Sequence, residues 1–452
     1  MADTKPAISF IGLGAMGFGM ATNLVKEGYP VTGFDVYGPT LDRFTAAGGL
    51  AATTPASAVE GKAVCVCMVA TAQQAQSVLL DSEHAALPSL PQGAVLLLCS
   101  TVPCAYVQSL ERQLAERGRA DVHLVDCPVS GGAIRAADGT LSIMAGASDA
   151  AIDKGRAVLQ AMSDPAKLYI VKGGVGAGSN MKMCHQVLAA NQILSASEAL
   201  GFADHLGLDL RSAGEALVKS DGWSWMLENR LPRLLHPEFK PIASALTIIL
   251  KDTSIITSEA RRAGFATPMT STAEQVYFSG LGRGYGPDDD ASLVRLYTEG
   301  KGKVGPVQGT ASTDDEKLKL VIDLLRGIHL CSAAETIAFG QHVGLDLDQV
   351  FELCINAAGG SRILSTVGPS FLKAFVEGKA QGGWAAESGS GEATLQSIAS
   401  ELEAAVNEAQ SLKLPLFLGS QALNLIRLGL KSAGAESSKQ AIGSVVRVWA
   451  TS

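Results

Sequence analysis

The stretch that decides the fold is Ile8-Ser-Phe-Ile-Gly12-Leu-Gly14-Ala-Met-Gly17, near the start of a chain of 452 residues. The apolar run at 8–11 is typical of a buried strand, and the run at 20–25 follows with helical periodicity. Between them, Gly12 permits a tight turn, Gly14 lets a pyrophosphate approach the backbone, and Gly17 lets the helix pack closely on the strand. The motif therefore predicts a dinucleotide site at a helix N-terminus. Its candidate contacts are Gly12, Leu13, Gly14, Ala15, Met16 and Gly17.

A carboxylate ends the second predicted strand, Val31-Thr-Gly-Phe-Asp35. Asp35 lies at the spacing from the glycines at which an acidic residue binds the ribose hydroxyls of a dinucleotide. The same charge would repel a 2′-phosphate. The sequence therefore favours NAD over NADP as the cofactor.

Further apolar runs at 64–69, 95–99 and 122–125 predict a doubly wound parallel sheet, an α/β Rossmann domain. Ligands bind at the carboxyl edge of such a sheet. Val69 and Thr101 lie at the ends of two of these runs and are candidate cofactor contacts. At the same edge Ser130-Gly131-Gly132 offers a hydroxyl and two unhindered N–H groups, which suit a carboxylate, although Ser-Gly-Gly alone is equally an ordinary turn.

Composition narrows the class of protein. Hydrophobic residues make up 47% and charged residues 18%, so the chain can bury several cores. The net charge of −8 argues against nucleic acid or an anionic membrane as the main partner. No apolar run reaches the roughly 18 residues of a membrane span, and no secretory signal is recognised. We expect a cytoplasmic protein with eight reduced, structural cysteines and no metal site.

The order of motifs over residues 8–298 resembles the β-hydroxyacid dehydrogenase family. The glycine-rich turn is followed by Asp126-Cys-Pro-Val-Ser-Gly-Gly132 and then by Gly176-Ala-Gly-Ser-Asn-Met-Lys182-Met-Cys-His185-Gln186. The family includes 3-hydroxyisobutyrate, tartronate-semialdehyde and threonate-type dehydrogenases and is distantly akin to 6-phosphogluconate dehydrogenase. The resemblance implies hydride transfer between a nicotinamide and a small, anionic hydroxy acid.

The resemblance also implies residue roles. Lys182 would be the catalytic acid/base, Ser130, Gly131 and Gly132 would hold the substrate carboxylate, and Lys251 would close over substrate and nicotinamide. Lys182 and Gln186 are four residues apart, so they share one helical face. A partly buried lysine near a helix N-terminus and a second lysine has its ammonium form disfavoured, which lets it accept an alcohol proton.

Two positions depart from the family pattern and make the predicted pocket more polar. Gln186, preceded by His185, replaces the usual Asn, and Ser244 stands where better-known members have an apolar or aromatic residue. Both are candidate substrate contacts, whereas His185 is equally a packing residue. These features favour a polyhydroxylated, threonate-like acid. The alternatives are 3-hydroxyisobutyrate, the reduction of a semialdehyde or glyoxylate, and a non-catalytic dinucleotide-binding scaffold, which retention of the three functional side chains argues against.

The remaining residues contain a repeat. Residues 194–210 and 331–347 align at an offset of 137 with nine of 17 positions identical, Glu198 matching Glu335. Lys319 falls opposite Lys182 without a preceding glycine-rich turn, and Ser400 falls opposite Lys251, so one active site per chain is predicted. The predicted domains are a Rossmann domain at 1–166, an all-α domain at 167–298, a linker at 299–315 and a degenerate all-α copy at 316–452. We expect the second copy to replace a partner subunit, with a homo-oligomer left open.

Overall fold

The glycine-rich turn opens a parallel sheet in the computed structural model, which describes residues 5–236, 239–299, 313–377, 393–432 and 439–450. The strands are β1 (Ile8–Ile11), β2 (Val31–Phe34), β3 (Leu50–Ala51), β4 (Val64–Cys67), β5 (Val95–Leu98) and β6 (His123–Asp126). Their order is β3-β2-β1-β4-β5-β6, and every pair is parallel. The predicted doubly wound sheet is therefore confirmed.

Seven helices accompany the strands: α1 (Gly17–Lys26), α2 (Gly38–Ala46), α3 (Pro55–Val59), α4 (Ala72–Gln76), α5 (Cys104–Glu116), α6 (Gly132–Asp138) and α7 (Asp149–Met162). Alternate strand residues pack on opposite faces of the sheet, since Ile8 and Phe10 join one apolar cluster and Ile11 joins the other. Cys65 and Cys67 lie in the second cluster, and all eight cysteines are buried and free.

A small mixed sheet, absent from the sequence prediction, follows the parallel one. It consists of β7 (Val129–Ser130), β8 (Leu141–Ala145) and β9 (Ser163–Ile170), with β7 antiparallel and β9 parallel to β8. The sequence of β9, Ser-Asp-Pro-Ala-Lys-Leu-Tyr-Ile, contains a proline and two charged residues, so it lacks the apolar run that marks a buried strand. Residue 166, where the sequence analysis ends the first domain, lies inside this strand.

The rest of the described chain is helical. The helices are α8 (Ala177–His205), α9 (Leu210–Lys219), α10 (Trp225–Leu234), α11 (Leu246–Ala263), α12 (Pro268–Gly282), α13 (Arg295–Thr298), α14 (Asp314–His342), α15 (Leu347–Asn356), α16 (Arg362–Val376), α17 (Leu395–Ser411), α18 (Phe417–Ser432) and α19 (Arg447–Ala450). Of these described helices, none has both the length and the apolar character needed to cross a bilayer.

Helix boundaries repeat along the chain. The helices α8 and α14 each have 29 residues, and both their first and last residues are 137 positions apart. The helices α9 and α15 keep the same offset at both ends. Two all-α copies related by duplication therefore follow the Rossmann region. Most of the predicted linker, 300–312, lies outside the described residues.

The chain divides into two compact units, Met1–Lys182 with Gly344–Gln349, and Met183–Val343 with Val350–Ser452. The first unit contains both sheets, and the second contains nearly all of both helical copies. Within the second unit the copies meet at equivalent residues: Ser224 and Ser361 form an antiparallel bridge, and Trp225 N donates to Gly360 O at 2.8 Å. Such self-pairing is the mark of a two-fold relation between the copies.

A buried glutamate of the second copy caps a helix of the first. The Glu335 carboxylate, on α14, accepts hydrogen bonds from the N–H groups of Met269 (2.8 Å) and Thr270 (3.0 Å) at the start of α12. The Thr270 hydroxyl donates to the same carboxylate at 2.6 Å. These bonds satisfy N–H groups that a helix leaves without intrahelical partners.

The equivalent glutamate of the first copy makes the reciprocal contact. The Glu198 carboxylate, on α8, accepts from the N–H groups of Leu418 (2.9 Å) and Gly419 (3.3 Å) at the start of α18, and from the Tyr297 hydroxyl at 3.3 Å. Neither glutamate is exposed to solvent. Each copy therefore supplies the cap of a core helix of the other, which makes their association part of the fold of both.

Burial of the two glutamates makes stability depend on pH. Loss of solvation raises the pKa of each carboxyl to about 7 from 4.5, against the opposing effect of its N–H donors. Because the folded protein binds these protons more tightly, their contribution to the free energy of unfolding is full below about pH 4.5 and declines as the pH rises through about 7. We predict that Glu335→Gln reduces this slope, measured as the urea midpoint at successive pH values. Exposed Glu316→Gln should leave the slope unchanged, and an unchanged slope in Glu335→Gln would contradict the assignment.

Candidate active site

The turn between β1 and α1 has the geometry that its glycines predict. Gly12 has a φ of +95°, and a Cβ there would lie 2.3 Å from the carbonyl oxygen of Met68. A Cβ on Gly17 would lie 2.0 Å from the carbonyl oxygen of Gly12, so a larger residue would push α1 away from the strand. Around the Cβ position of Gly14, by contrast, the described residues leave 4 Å of open space. A pyrophosphate can approach there, so the turn fits a dinucleotide.

Asp35 is held against this turn at the end of β2. Its Oδ2 accepts a hydrogen bond from the N–H of Leu13 at 2.7 Å, and its Oδ1 accepts one from the N–H of Tyr37 at 2.9 Å. The Leu13 side chain is buried in the core, whereas Ala15 is exposed and Met16 half-buried. Leu13 therefore shapes the site through its backbone. The carboxylate of Asp35 is half-buried at the carboxyl end of β2, beside the turn.

A serine that the sequence analysis did not single out joins the ends of β4 and β5. The Ser100 hydroxyl accepts a hydrogen bond from the N–H of Val69 at 2.8 Å and lies 3.5 Å from the carbonyl oxygen of Cys67. It therefore brings together the two turns that carry Val69 and Thr101. Both predicted cofactor contacts lie at the carboxyl edge of the sheet, as the strand register requires.

The Ser130–Gly132 turn leads from β7 into α6. Ser130 pairs with Ser142 of β8, while Gly131 and Gly132 have φ values of +142° and +74°. Both glycines are exposed, and their left-handed conformations would strain any side chain. The two backbone N–H groups are thus presented at the surface of a fixed turn.

Lys182 lies in the second turn of α8, and only 4% of its surface is exposed. On the same helix, His185 is buried and Gln186 is half-buried, with the His185 Nδ1 3.0 Å from the Gln186 Oε1. The four-residue spacing puts Lys182 and Gln186 on one helical face. The helix is continuous through this segment, as the sequence predicts.

Gln186 and Lys251 meet at the carboxylate of Asp252, a residue to which the sequence assigns no role. The Gln186 Nε2 donates to the Asp252 Oδ2 at 2.6 Å, and the Lys251 Nζ lies 3.1 Å from the Asp252 Oδ1. Asp252 is buried, and a third of the Lys251 side chain is exposed. Asp252 therefore orients both predicted substrate contacts.

Ser244 lies in the loop before α11, tied by its backbone to an acidic segment. Its carbonyl oxygen accepts from the N–H of Asp290 at 2.8 Å. Asp289 and Asp290 pair with Arg233 (2.9 Å) and Arg230 (2.8 Å). Asp289 caps a short helix at Asp290–Val294. In the described parts of the chain, no group of three or more His, Cys, Asp or Glu side chains is placed to hold a metal ion.

The corresponding positions of the second copy hold an ion-pair network. Lys319 leaves 62% of its side chain exposed and pairs with Asp323 at 2.6 Å. Asp323 also lies 3.5 Å from Arg326, which pairs with Glu401 at 2.7 Å. These charges neutralise one another within the copy. They occupy the place of the first copy's candidate site.

Two protein-family models together match most of the chain. The model described as the NAD binding domain of 6-phosphogluconate dehydrogenase matches residues 7–174. The model described as NAD-binding of NADP-dependent 3-hydroxyisobutyrate dehydrogenase matches twice, at 176–297 and at 315–446. The chain belongs to the β-hydroxyacid dehydrogenase family. It is accordingly an oxidoreductase that acts on CH–OH groups with NAD.

Proteins similar to this β-hydroxyacid dehydrogenase differ in how much of its chain they cover. It is 35% identical over 290 residues to an L-threonate dehydrogenase of Cupriavidus necator, which covers 64% of this chain and 95% of the relative. The crystal structure of a 3-hydroxyisobutyrate dehydrogenase from Salmonella typhimurium, 29% identical, covers 65% of this chain and all of that one, with a TM-score of 0.59. Plasmodium falciparum 6-phosphogluconate dehydrogenase, 15% identical, shares the fold over 93% of this chain and 92% of its own, with a TM-score of 0.68.

The Asp35 assignment predicts a change in cofactor preference. Asp35→Ala removes the carboxylate that would accept the ribose hydroxyls, so NADH affinity should fall by about tenfold or more while NADPH affinity falls less. Quenching of tryptophan fluorescence measures both dissociation constants without a substrate. Asp42→Ala, an exposed carboxylate on α2, is the matched control and should change neither. A wild type that binds NADPH more tightly than NADH would contradict the assignment.

Proposed function

We propose that this enzyme oxidises a small polyhydroxylated acid of the threonate class with NAD, and that Lys182 is the general base. The burial of Lys182 carries the proposal, since only 4% of this residue is exposed and it lies on α8, within the first region that the 3-hydroxyisobutyrate dehydrogenase model matches. Its counterpart Lys319 is largely exposed and ion-paired. The 35% identity to an L-threonate dehydrogenase supports the substrate class.

The residues of the first unit supply acid/base chemistry and substrate anchoring. When bound, NAD accepts the hydride that leaves the carbinol carbon. Lys182 Nζ takes the hydroxyl proton as the carbinol carbon is oxidised, since burial disfavours the charged form of a lysine. The Ser130 hydroxyl and the N–H groups of Gly131 and Gly132 hold the substrate carboxylate. In the reductive direction the same Nζ returns the proton.

The polar residues of α8 and α11 favour a substrate with additional hydroxyl groups. Gln186 and Lys251 are both held by Asp252, so an amide and an ammonium are offered from fixed positions. Hydroxyl groups on the substrate can hydrogen-bond to this amide and this ammonium, whereas a branched aliphatic side chain offers them no polar atom. Ser244 and His185 are the further candidates for contacts to substrate hydroxyls.

Turnover by Lys182 variants tests the proposed chemistry. We predict that wild type reduces NAD faster with threonate-like acids than with 3-hydroxyisobutyrate in a panel of C3–C6 hydroxy acids, and that Lys182→Ala loses about 10²- to 10⁴-fold in kcat while retaining NADH binding. Lys319→Ala is the matched control and should keep wild-type kcat. Wild-type turnover in Lys182→Ala would remove this residue from the mechanism. Equal loss in both lysine variants would assign the effect to folding.

The second helical copy is proposed to take the place of a partner subunit. Its Glu335 caps α12, and its Leu418 and Gly419 supply the donors to Glu198. The curated relative of Cupriavidus necator is matched over nearly its whole length without this copy. The copy thus adds packing partners, and its degenerate lysine position adds no second active site.

Deletion of residues 316–452 tests this role. The truncated chain would expose the apolar faces of α8 and α12 and leave the buried Glu198 carboxylate without its α18 donors. We predict aggregated or inactive protein, measured by light scattering and by turnover. Two controls are measured beside it. One is the full chain, and the other is the truncated chain mixed with a separately produced 313–452 segment. A soluble, fully active truncated monomer would contradict the role.

We further propose a cytoplasmic location for an enzyme whose partner is a small acid. All eight cysteines are free and buried, which suits a reducing compartment. The net charge of −8 suits a small-molecule partner better than a polyanion.

A further inference from the structure

Asp126, the last residue of β6, has a buried carboxylate with a single set of partners at the start of α8. Its Oδ2 accepts a hydrogen bond from the N–H of Ser179 at 2.7 Å, and its Oδ1 accepts one from the Ser179 hydroxyl at 2.7 Å. The side chain has no exposed surface. A carboxylate that caps a helix in this way fixes both the rotation and the axial position of the helix turn. The next turn of this helix carries Lys182.

The backbone around Asp126 is packed as closely as glycine allows. A Cβ on Gly178 would lie 2.3 Å from the carbonyl oxygen of Asp126 and 2.4 Å from that of Met144. A Cβ on Gly146 would lie 2.6 Å from the backbone nitrogen of Gly178. Asp126 and Gly146 also exchange backbone hydrogen bonds of 3.1 and 2.8 Å. The first turn of α8 therefore rests directly on the ends of β6 and β8, with no side chain between them.

The same junction determines where the Ser130 turn begins. Ser130 is four residues after Asp126, and Pro128 O accepts from Met144 N at 3.1 Å. Ser130 itself pairs with Ser142 of β8. The proposed carboxylate-holding turn and the proposed general base thus both start from this strand–helix junction, within one compact unit.

We propose that Asp126 is the positioning residue of Lys182: its carboxylate sets the turn of α8 from which the lysine reaches the substrate, and its charge stabilises the lysine's ammonium form. This inference rests on the proposed function of Lys182. The carboxylate acts through Ser179 and the helix and touches no reacting atom.

The proposed effect of Asp126 on Lys182 depends on the charge of the Asp126 carboxylate. Burial raises the pKa of its carboxyl to about 6, while the Ser179 hydroxyl and the N–H groups of Ser179 and Gly176 lower it. Burial raises the pKa of the adjacent Cys127 thiol well above its usual value, and the charge of Asp126 acts on that thiol in the same direction. Above about pH 6 the carboxylate is charged. Its negative charge then offsets the unfavourable effect of the positive helix N-terminus on the Lys182 ammonium.

Asp126→Asn tests position and charge together, because it keeps the shape and one acceptor but removes the charge. We expect kcat to fall by about 10- to 100-fold, as for a small displacement of a reacting group. We also expect the acid limb of the pH profile of kcat/KM for oxidation to move to lower pH, by about half a unit, since a lost anion destabilises the ammonium form. NADH affinity should stay at the wild-type value.

Two further variants and a second readout make the outcome decisive. Ser179→Ala removes one hydrogen bond and leaves the charge, so it should lower kcat less than Asp126→Asn without moving the pH profile, and it carries the positional test if Asp126→Asn does not fold. Asp209→Asn, which removes only the charge of the exposed N-cap of α9, should match wild type. The pH dependence of reductive methylation of Lys182, followed by mass spectrometry, reports the lysine's pKa without any turnover.

The failure of this proposal is distinguishable from the failure of the proposed function. If wild type oxidises no acid of the panel, the function is wrong, and the methylation readout still tests Asp126. An active wild type whose kcat and Lys182 methylation profile are unchanged by Asp126→Asn would overturn the proposal. A lower methylation pKa in Asp126→Asn, with Ser179→Ala at the wild-type value, would support it.

Discussion

Buried carboxylates on helix N-termini are the interaction on which this structure depends. Glu335 caps α12 and Glu198 caps α18, each from the other helical copy, and Asp126 caps α8 from the sheet. A helix that is buried at its N-terminus needs acceptors within the protein for its first N–H groups, because bulk solvent does not reach them. Each carboxylate supplies these acceptors from a distant part of the sequence. Long helices and the elements around them are therefore fixed by charge-assisted hydrogen bonds as well as by apolar packing.

The two helical copies contact each other within one chain as the subunits of a symmetric dimer do. The bridge between Ser224 and Ser361 and the reciprocal caps of Glu198 and Glu335 join equivalent positions, as an isologous interface does. One copy retains a buried lysine, and the other has an exposed, ion-paired one. Covalent linkage frees the second copy to lose its site while it keeps the surface that the first copy packs against.

The sequence predicts the parts of the fold that follow from local patterns. Gly12 and Gly17 adopt the conformations that their spacing requires, because the reasons are steric and local. The repeat around Glu198 and Glu335 was visible as identical residues, yet their reciprocal capping was not, since Met269 and Leu418 carry no motif. The strand β9 was missed because proline and charged residues interrupt it. The two helical copies are predicted as domains at 167–298 and 316–452, and nearly all of both lies in one compact unit.

The candidate site likewise contains residues that local motifs predict and residues that they do not. The sequence predicts roles for Lys182, Ser130 and Asp35 because each lies in a motif at a strand end or a helix start. Ser100 and Asp252 were not assigned, because their importance comes from the hydrogen bonds they make to Val69 and Gln186. Asp126 stood in the quoted motif, but only its contact with Ser179 gives it a role. Residues that orient other residues are visible in the structure and rarely in the sequence.

The central claim is that a hydride passes from the carbon of a hydroxy acid to NAD. The most direct measurement uses the best substrate of the panel with deuterium at its carbinol carbon, followed by mass spectrometry of the reduced cofactor and by the isotope effect on kcat/KM. The account predicts one deuterium in each molecule of NADH formed and a slower reaction. Reduced cofactor without deuterium, formed at an unchanged rate, would contradict it.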